Sequence, residues 1–122
     1  MIERDLDRLM ELYAEESVLE SSAILVLEKE KLGILRGKTK IRLHFDALFR
    51  MVDEGIRTWR CSDTLYTNDC KRIVWEYQSQ WPDGHQLEVV HFASISGGLI
   101  AHHRIYWGWR GFHALVEEAF RL

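Results

Sequence analysis

The chain has 122 residues, 47% of them hydrophobic, with 16 basic residues against 19 acidic ones and a formal net charge of −3. That length predicts one domain, 1–122, which buries roughly two thirds of the surface its unfolded chain exposes. No basic stripe faces a phosphate backbone, no apolar run reaches the ~20 residues of a membrane span, and the charged opening MIERDLDRLMEL is no leader peptide; this argues against nucleic-acid and membrane partners and for a cytoplasmic setting.

The opening stretch Ile2–Glu16 places Leu6, Leu9, Met10 and Tyr13 on one helical stripe. Ser17–Ser22 reads as a short strand, and Ala23–Leu27 is apolar without a clear period. Lys38–Val52 is a second amphipathic helix, with Ile41, His44, Phe45, Leu48, Phe49 and Val52 at steps of three and four. After Gly55 the period becomes two. Strands are predicted over Ile56–Thr67, Arg72–Trp81, Gln86–Ile95 and Leu99–Trp107, divided by turn sequences Asn68–Lys71, Pro82–Gly84 and Ser96–Gly98. A short helix, Phe112–Phe120, follows. Helices first and a four-strand meander after them predict an α+β domain, a curved antiparallel sheet wrapped around helices.

Turn lengths then fix which side chains meet. If Trp81 opposes Gln86, Glu76 faces His91. If Ser96–Gly98 is a three-residue loop, Ile95 opposes Leu99 and His91 faces His103. If Thr67 opposes Arg72, Asp63 faces Glu76. One sheet face then carries the row Asp63, Glu76, His91, His103, surrounded by Trp59, Gln78, Ile105 and Trp107 among others. The other carries Trp75, Tyr77, Val90, Phe92, Arg104 and Tyr106. Ionisable groups on an apolar concave face are costly unless paired, so the row reads either as a pocket with acid/base capacity or as a buried structural pair, Glu76–His91. Two histidines and a carboxylate also have the composition of a metal site, but no ligand spacing supports one and no metal is expected. Cys61 and Cys70 have no metal-ligand spacing, suit a reducing compartment and read as structural thiols.

Three segments carry a family resemblance: Tyr13-Ala-Glu-Glu-Ser-Val-Leu-Glu20, Arg36-Gly-Lys-Thr-Lys-Ile41 and Gly98-Leu-Ile-Ala-His-His-Arg-Ile-Tyr-Trp107. Their order and spacing resemble the SnoaL-like branch of the nuclear transport factor 2-like (NTF2-like) superfamily, which includes ketosteroid isomerase, limonene epoxide hydrolase and polyketide cyclases. The resemblance implies a cone-shaped sheet enclosing a pocket, a homodimer formed through the outer sheet face, and a first family helix that is missing here. It matches His91 to the penultimate-strand acid of the isomerase and His103 to the last-strand acid/base of the cyclases. Ser21 falls where the isomerase has its base, so ketosteroid isomerisation is not implied.

The resulting expectation is a domain that binds a small hydrophobic molecule. Any chemistry is cofactor-free and of isomerase, cyclase or hydrolase type. His91 and His103 carry the proton, Glu76 orients His91, and Trp59, Asp63, Gln78, Ile105 and Trp107 line the ligand. The alternative is a non-catalytic binding or dimerisation module of the same fold.

Overall fold

The structure, a computed structural model, describes residues 2–28, 30–52, 57–61, 65–80 and 86–120. In chain order the elements are α1 (Ile2–Met10), β1 (Tyr13–Ser21), α2 (Ser22–Leu27), β2 (Ile34–Arg36), α3 (Lys38–Val52), β3 (Arg57–Cys61), β4 (Leu65–Tyr66), β5 (Arg72–Gln80), β6 (Gln86–Ser96), β7 (Leu99–Trp107) and α4 (Trp109–Phe120). The sheet runs β2-β1-β7-β6-β5-β3, with β4 also paired to β5. All strand pairs are antiparallel except β1 with β7.

The helix α3 and the strand β7 span the residues expected of them. The first helix does not. It stops at Met10, and Tyr13, expected on its apolar stripe, opens a nine-residue strand instead. The stripe misleads because Leu9, Met10 and Tyr13 keep helical spacing across a break that has neither Gly nor Pro. The chain turns at Glu11–Leu12, where Leu12 N donates to Leu9 O at 3.0 Å and Leu12 O accepts from Ile100 N at 2.7 Å. Docking on β7 therefore outweighs local helical preference at Tyr13.

Two turns decide the sheet's faces. Between β6 and β7 the connection is a two-residue turn, Gly97–Gly98, with φ of 58° and 78°, backbone that glycine adopts without steric cost. Ser96 pairs with Leu99 and Ile95 with Ile100, but Ser94 pairs with His102, so Ala101 is an extra, bulged residue. Without the bulge His91 would pair with Arg104, and His103 would point to the other face. With it, His91 pairs with Ile105 and Ala93 with His103. The expected three-residue loop is thus replaced by a turn plus a bulge. The combined offset of two residues keeps both histidines on one face.

Between β5 and β6 the expected register is off by one. The outermost pair is Gln80–Gln86, not Trp81–Gln86, and the Pro82 turn lies outside the described residues. Trp75 consequently pairs with His91, and Glu76 pairs with Val90. An odd slip exchanges the faces of the whole strand.

The core lies between the inner sheet face and the helices. Leu6 and Met10 of α1, Ile41, Phe45 and Leu48 of α3, Ala23 and Ile24 of α2 and Leu115 of α4 are buried against Leu19, Val89, Ala93 and Ile105. Each of the leucine, isoleucine, valine, phenylalanine and methionine side chains among them contributes about 1.5–3 kcal/mol on leaving water. Among the described residues no helix is long and apolar enough to cross a membrane.

Candidate functional site

The site forms where β1, β5, β6 and β7 present their inner face. Leu19 and Ser21 of β1 pair with His103 and Ile105 of β7, so the parallel contact seals the flank of His103. His103 is 3% exposed and His91 8%. His103 Nε2 lies 2.8 Å from His91 Nδ1, and His103 Nδ1 lies 2.5 Å from Tyr13 Oη. Tyr13, 1% exposed, is thus the third member of a hydrogen-bonded chain running from β1 through β7 to β6.

Aromatic rings flank this chain. The Trp75 indole stacks on His91 with centroids 4.7 Å apart and planes 6° from parallel, and it also approaches the His103 ring at 5.6 Å. Phe45 of α3 packs on Tyr13 at 6.0 Å. The indole N–H of Trp107 donates to Ser21 Oγ at 3.3 Å, and the same oxygen accepts from Ala23 N at 3.2 Å, capping α2. Ser21, at the position of the isomerase base, is here an anchor for Trp107.

Burial sets the protonation of the chain. It pushes His91 from its ordinary 6.5 down to about 4. Burial, reinforced by the charges that His91 and His102 would carry, pushes His103 down to about 3. Burial also raises the Tyr13 phenol above its ordinary value, so the phenol keeps its proton at neutral pH. All three groups are then neutral. The arrangement assigned from these facts has the phenol donating to His103 Nδ1 and His103 Nε2–H donating to His91 Nδ1, which leaves the His91 proton on Nε2. Such a chain passes a proton by exchanging tautomers, with no ion formed until one enters at an end.

Of the expected site residues, the structure brings together His91, His103, Ile105 and Trp107. It moves Glu76 away: the carboxylate residue is exposed, pairs in register with Val90, and lies on the face opposite His91. The orienting partner inferred for His91 is therefore replaced, with Trp75 stacked on its ring and His103 bonded to its nitrogen. The same slip separates the metal-like set Glu76, His91 and His103. Gln78 pairs with Glu88, off the row that carries His91. Trp59 falls where the β3 register against β5 shifts, between Thr58 and Arg60. Asp63 lies outside the described residues.

Tyr13 and Trp75 are the two site residues that sequence reasoning missed. No turn count reaches Tyr13, because its helical spacing after Leu9 and Met10 hides the strand that it opens. The turn-length register puts Trp75 on the outer face, and the one-residue slip brings it to the inner face opposite His91. The outer face does carry Val90, Phe92, Arg104 and Tyr106, and the Arg104 guanidinium sits 4.6 Å over the Phe92 ring. An open surface cleft of about 550 Å³ beside β2, lined by Lys31, Arg36 and Lys40 among others, shares no residue with the chain.

The sequence matches no protein-family model and no curated protein. Solved structures do match the fold. A steroid delta-isomerase from Pseudomonas aeruginosa superposes with a TM-score of 0.70 at 18% identity, covering 98% of this chain and 80% of that one. TerC, co-crystallised with polyporic acid, gives 0.70 at 16% identity over 95% and 88% of the two chains. A SnoaL-like protein of unknown function from Burkholderia thailandensis gives 0.66 at 16% identity over 88% and 83%. The fold is that of the SnoaL-like and NTF2-like proteins.

Proposed function

We propose, from an NTF2-like cone with an aromatic inner face, that the domain binds a small, largely apolar molecule and moves a proton on it without a cofactor. Tyr13, His103 and His91 form the chain. His91 meets the ligand, donating a hydrogen bond from Nε2 to the carbonyl oxygen, on which negative charge develops as a water molecule takes the proton from the neighbouring carbon. His103 and Tyr13 stay neutral and polarise His91 through their hydrogen bonds. Trp75, Ile105 and Trp107 form the apolar wall. The single observation that carries this reading is the continuous chain of three buried polar groups, two bonds of 2.5 and 2.8 Å, inside a largely apolar face. A core needing only stability is better served by apolar residues of similar volume.

The reaction class is isomerase, cyclase or hydrolase chemistry that passes through an enol or enolate. The test is deuterium uptake. A cyclic ketone such as 2-tetralone is incubated with the protein in D2O, and exchange at carbon next to the carbonyl is followed by mass spectrometry. Protein-dependent exchange, lost in His91→Phe and in His103→Phe, is the expected result. No exchange above the buffer rate contradicts it.

A second reading, binding without turnover, is favoured by one observation. Imidazoles titrating near 4 and 3 are weak bases at neutral pH, whereas proton abstraction is most efficient with a base near the working pH. Saturable ketone binding with no exchange would select this reading.

The outer sheet face pairs two copies of the chain in this proposal. Val90 and Tyr106 stand opposite each other there, 36% and 54% exposed, beside the Arg104–Phe92 stack and a His102–Glu20 contact of 3.0 Å.

A further inference from the structure

A second buried polar group lies outside the chain. His44 is on the core-facing stripe of α3 and is 0% exposed. Its Nδ1 lies 2.9 Å from Oε2 of Glu28, the residue that closes α2. The carboxylate accepts, so Nδ1 carries a proton, and in the neutral ring Nε2 keeps a lone pair. That nitrogen is buried and has no hydrogen-bond partner among the described residues. Its ring neighbour Phe45, with centroids 5.6 Å apart, is the residue that packs on Tyr13. Ser17 Oγ is a second buried polar atom without a partner among the described residues. Ser17 lies on β1 beside the start of α3, where its carbonyl accepts from Gly37 N at 2.8 Å.

An unmet buried acceptor costs about 1–3 kcal/mol, and this one stands among Ile41, Phe45 and Leu48 where a leucine would carry no such cost. The feature also has a directional element that packing does not require: a carboxylate fixing which nitrogen faces the interior. We propose that His44 is a second ligand-binding group of the interior, accepting through Nε2 a hydrogen bond from a hydroxyl or N–H of the bound molecule. Glu28 is its positioning residue. An acceptor in an apolar layer selects a neutral donor, so the ligand class narrows to phenols, enols and alcohols with an apolar body. This rests on reading the interior as a binding pocket, but it assigns recognition to α3 and not to the histidines of the sheet.

Phenol and toluene serve as probes at pH 8, since they match in shape and differ in the donor. Calorimetric titration gives affinities for the wild type, His44→Leu and His103→Phe, and the 15N resonance of His44 Nε2 is followed in the wild type. The expected result is phenol binding weakened tenfold or more in His44→Leu, toluene binding changed less than twofold, and an Nε2 resonance that moves as phenol saturates. Equal phenol affinity in the wild type and His44→Leu, or an unmoved resonance, overturns the proposal. Should His44→Leu fail to fold, the resonance in the wild type decides alone. Phenol affinity lost only in His103→Phe, with His44 Nε2 unmoved, overturns this assignment while sustaining the proposed function. Failure of the wild type to bind either probe overturns both.

Discussion

Tyr13 and His103 stand 90 positions apart in sequence and meet at 2.5 Å, because the parallel pairing of β1 with β7 lays the start of one strand along the other. The contact satisfies two buried polar groups at once. It also gives the histidine pair a neutral terminus in place of the carboxylate that a histidine more often has.

Removing the phenol oxygen tests what that contact is worth. Tyr13→Phe keeps the ring against Phe45 and leaves His103 Nδ1 buried without its donor. The expected loss is about 1–3 kcal/mol in urea unfolding, with an unchanged m-value. An unchanged midpoint would mean that the contact is incidental.

The pH dependence of stability follows from the histidines. Both folded values lie below the ordinary 6.5, at about 4 and about 3. Between 6.5 and those values the unfolded chain binds more protons than the folded one, so stability rises with pH across that window. It is fully present above about pH 6.5 and is lost as pH falls towards 4, by on the order of 3 kcal/mol for His91 alone. His103→Gln flattens this slope. Stability that stays level from pH 7 to pH 5 in the wild type contradicts the burial of the pair.

The register of β5 makes a prediction that separates two neighbours. Glu76→Gln leaves the titration of His91 where it is, since Glu76 pairs with Val90 on the other face. Trp75→Leu moves the His91 titration upward by admitting water to the ring, and it shifts the imidazole proton resonances through loss of the stacked indole. NMR titration of the two variants reads both effects, and the opposite pattern would restore the row inferred from turn lengths.

Much of the fold is legible in the sequence, for reasons that also explain the misses. Lys38–Val52 and Leu99–Trp107 keep unbroken periods of 3.6 and 2, and both elements form over those residues. His91 and His103 share a face as expected, although the loop and the bulge that put them there were not the devices inferred. Glu76 and Trp75 changed places because a connection longer by one residue inverts a strand, and nothing local to β5 reports that length. Tyr13 was hidden more deeply. Its strand follows a helix with no breaker between, and at Tyr13 the strand is held by its long-range pairing with Ile100 of β7.

The outer face gives a prediction about assembly. Tyr106→Glu places a charge opposite Val90 in the proposed interface between two copies. Sedimentation equilibrium is expected to show a wild-type dimer and a variant that is largely monomeric with its thermal stability otherwise intact. A monomeric wild type removes this element of the account.

The central claim is that Tyr13, His103 and His91 form one neutral, hydrogen-bonded chain, and the most direct measurement is 15N NMR of histidine-labelled protein at pH 7. The account predicts a bare His103 Nδ1, a protonated His103 Nε2 with a scalar coupling across to His91 Nδ1, and neither ring charging until the pH is below about 5. Two independently titrating imidazoles with midpoints near 6.5 and no coupling between them would contradict it.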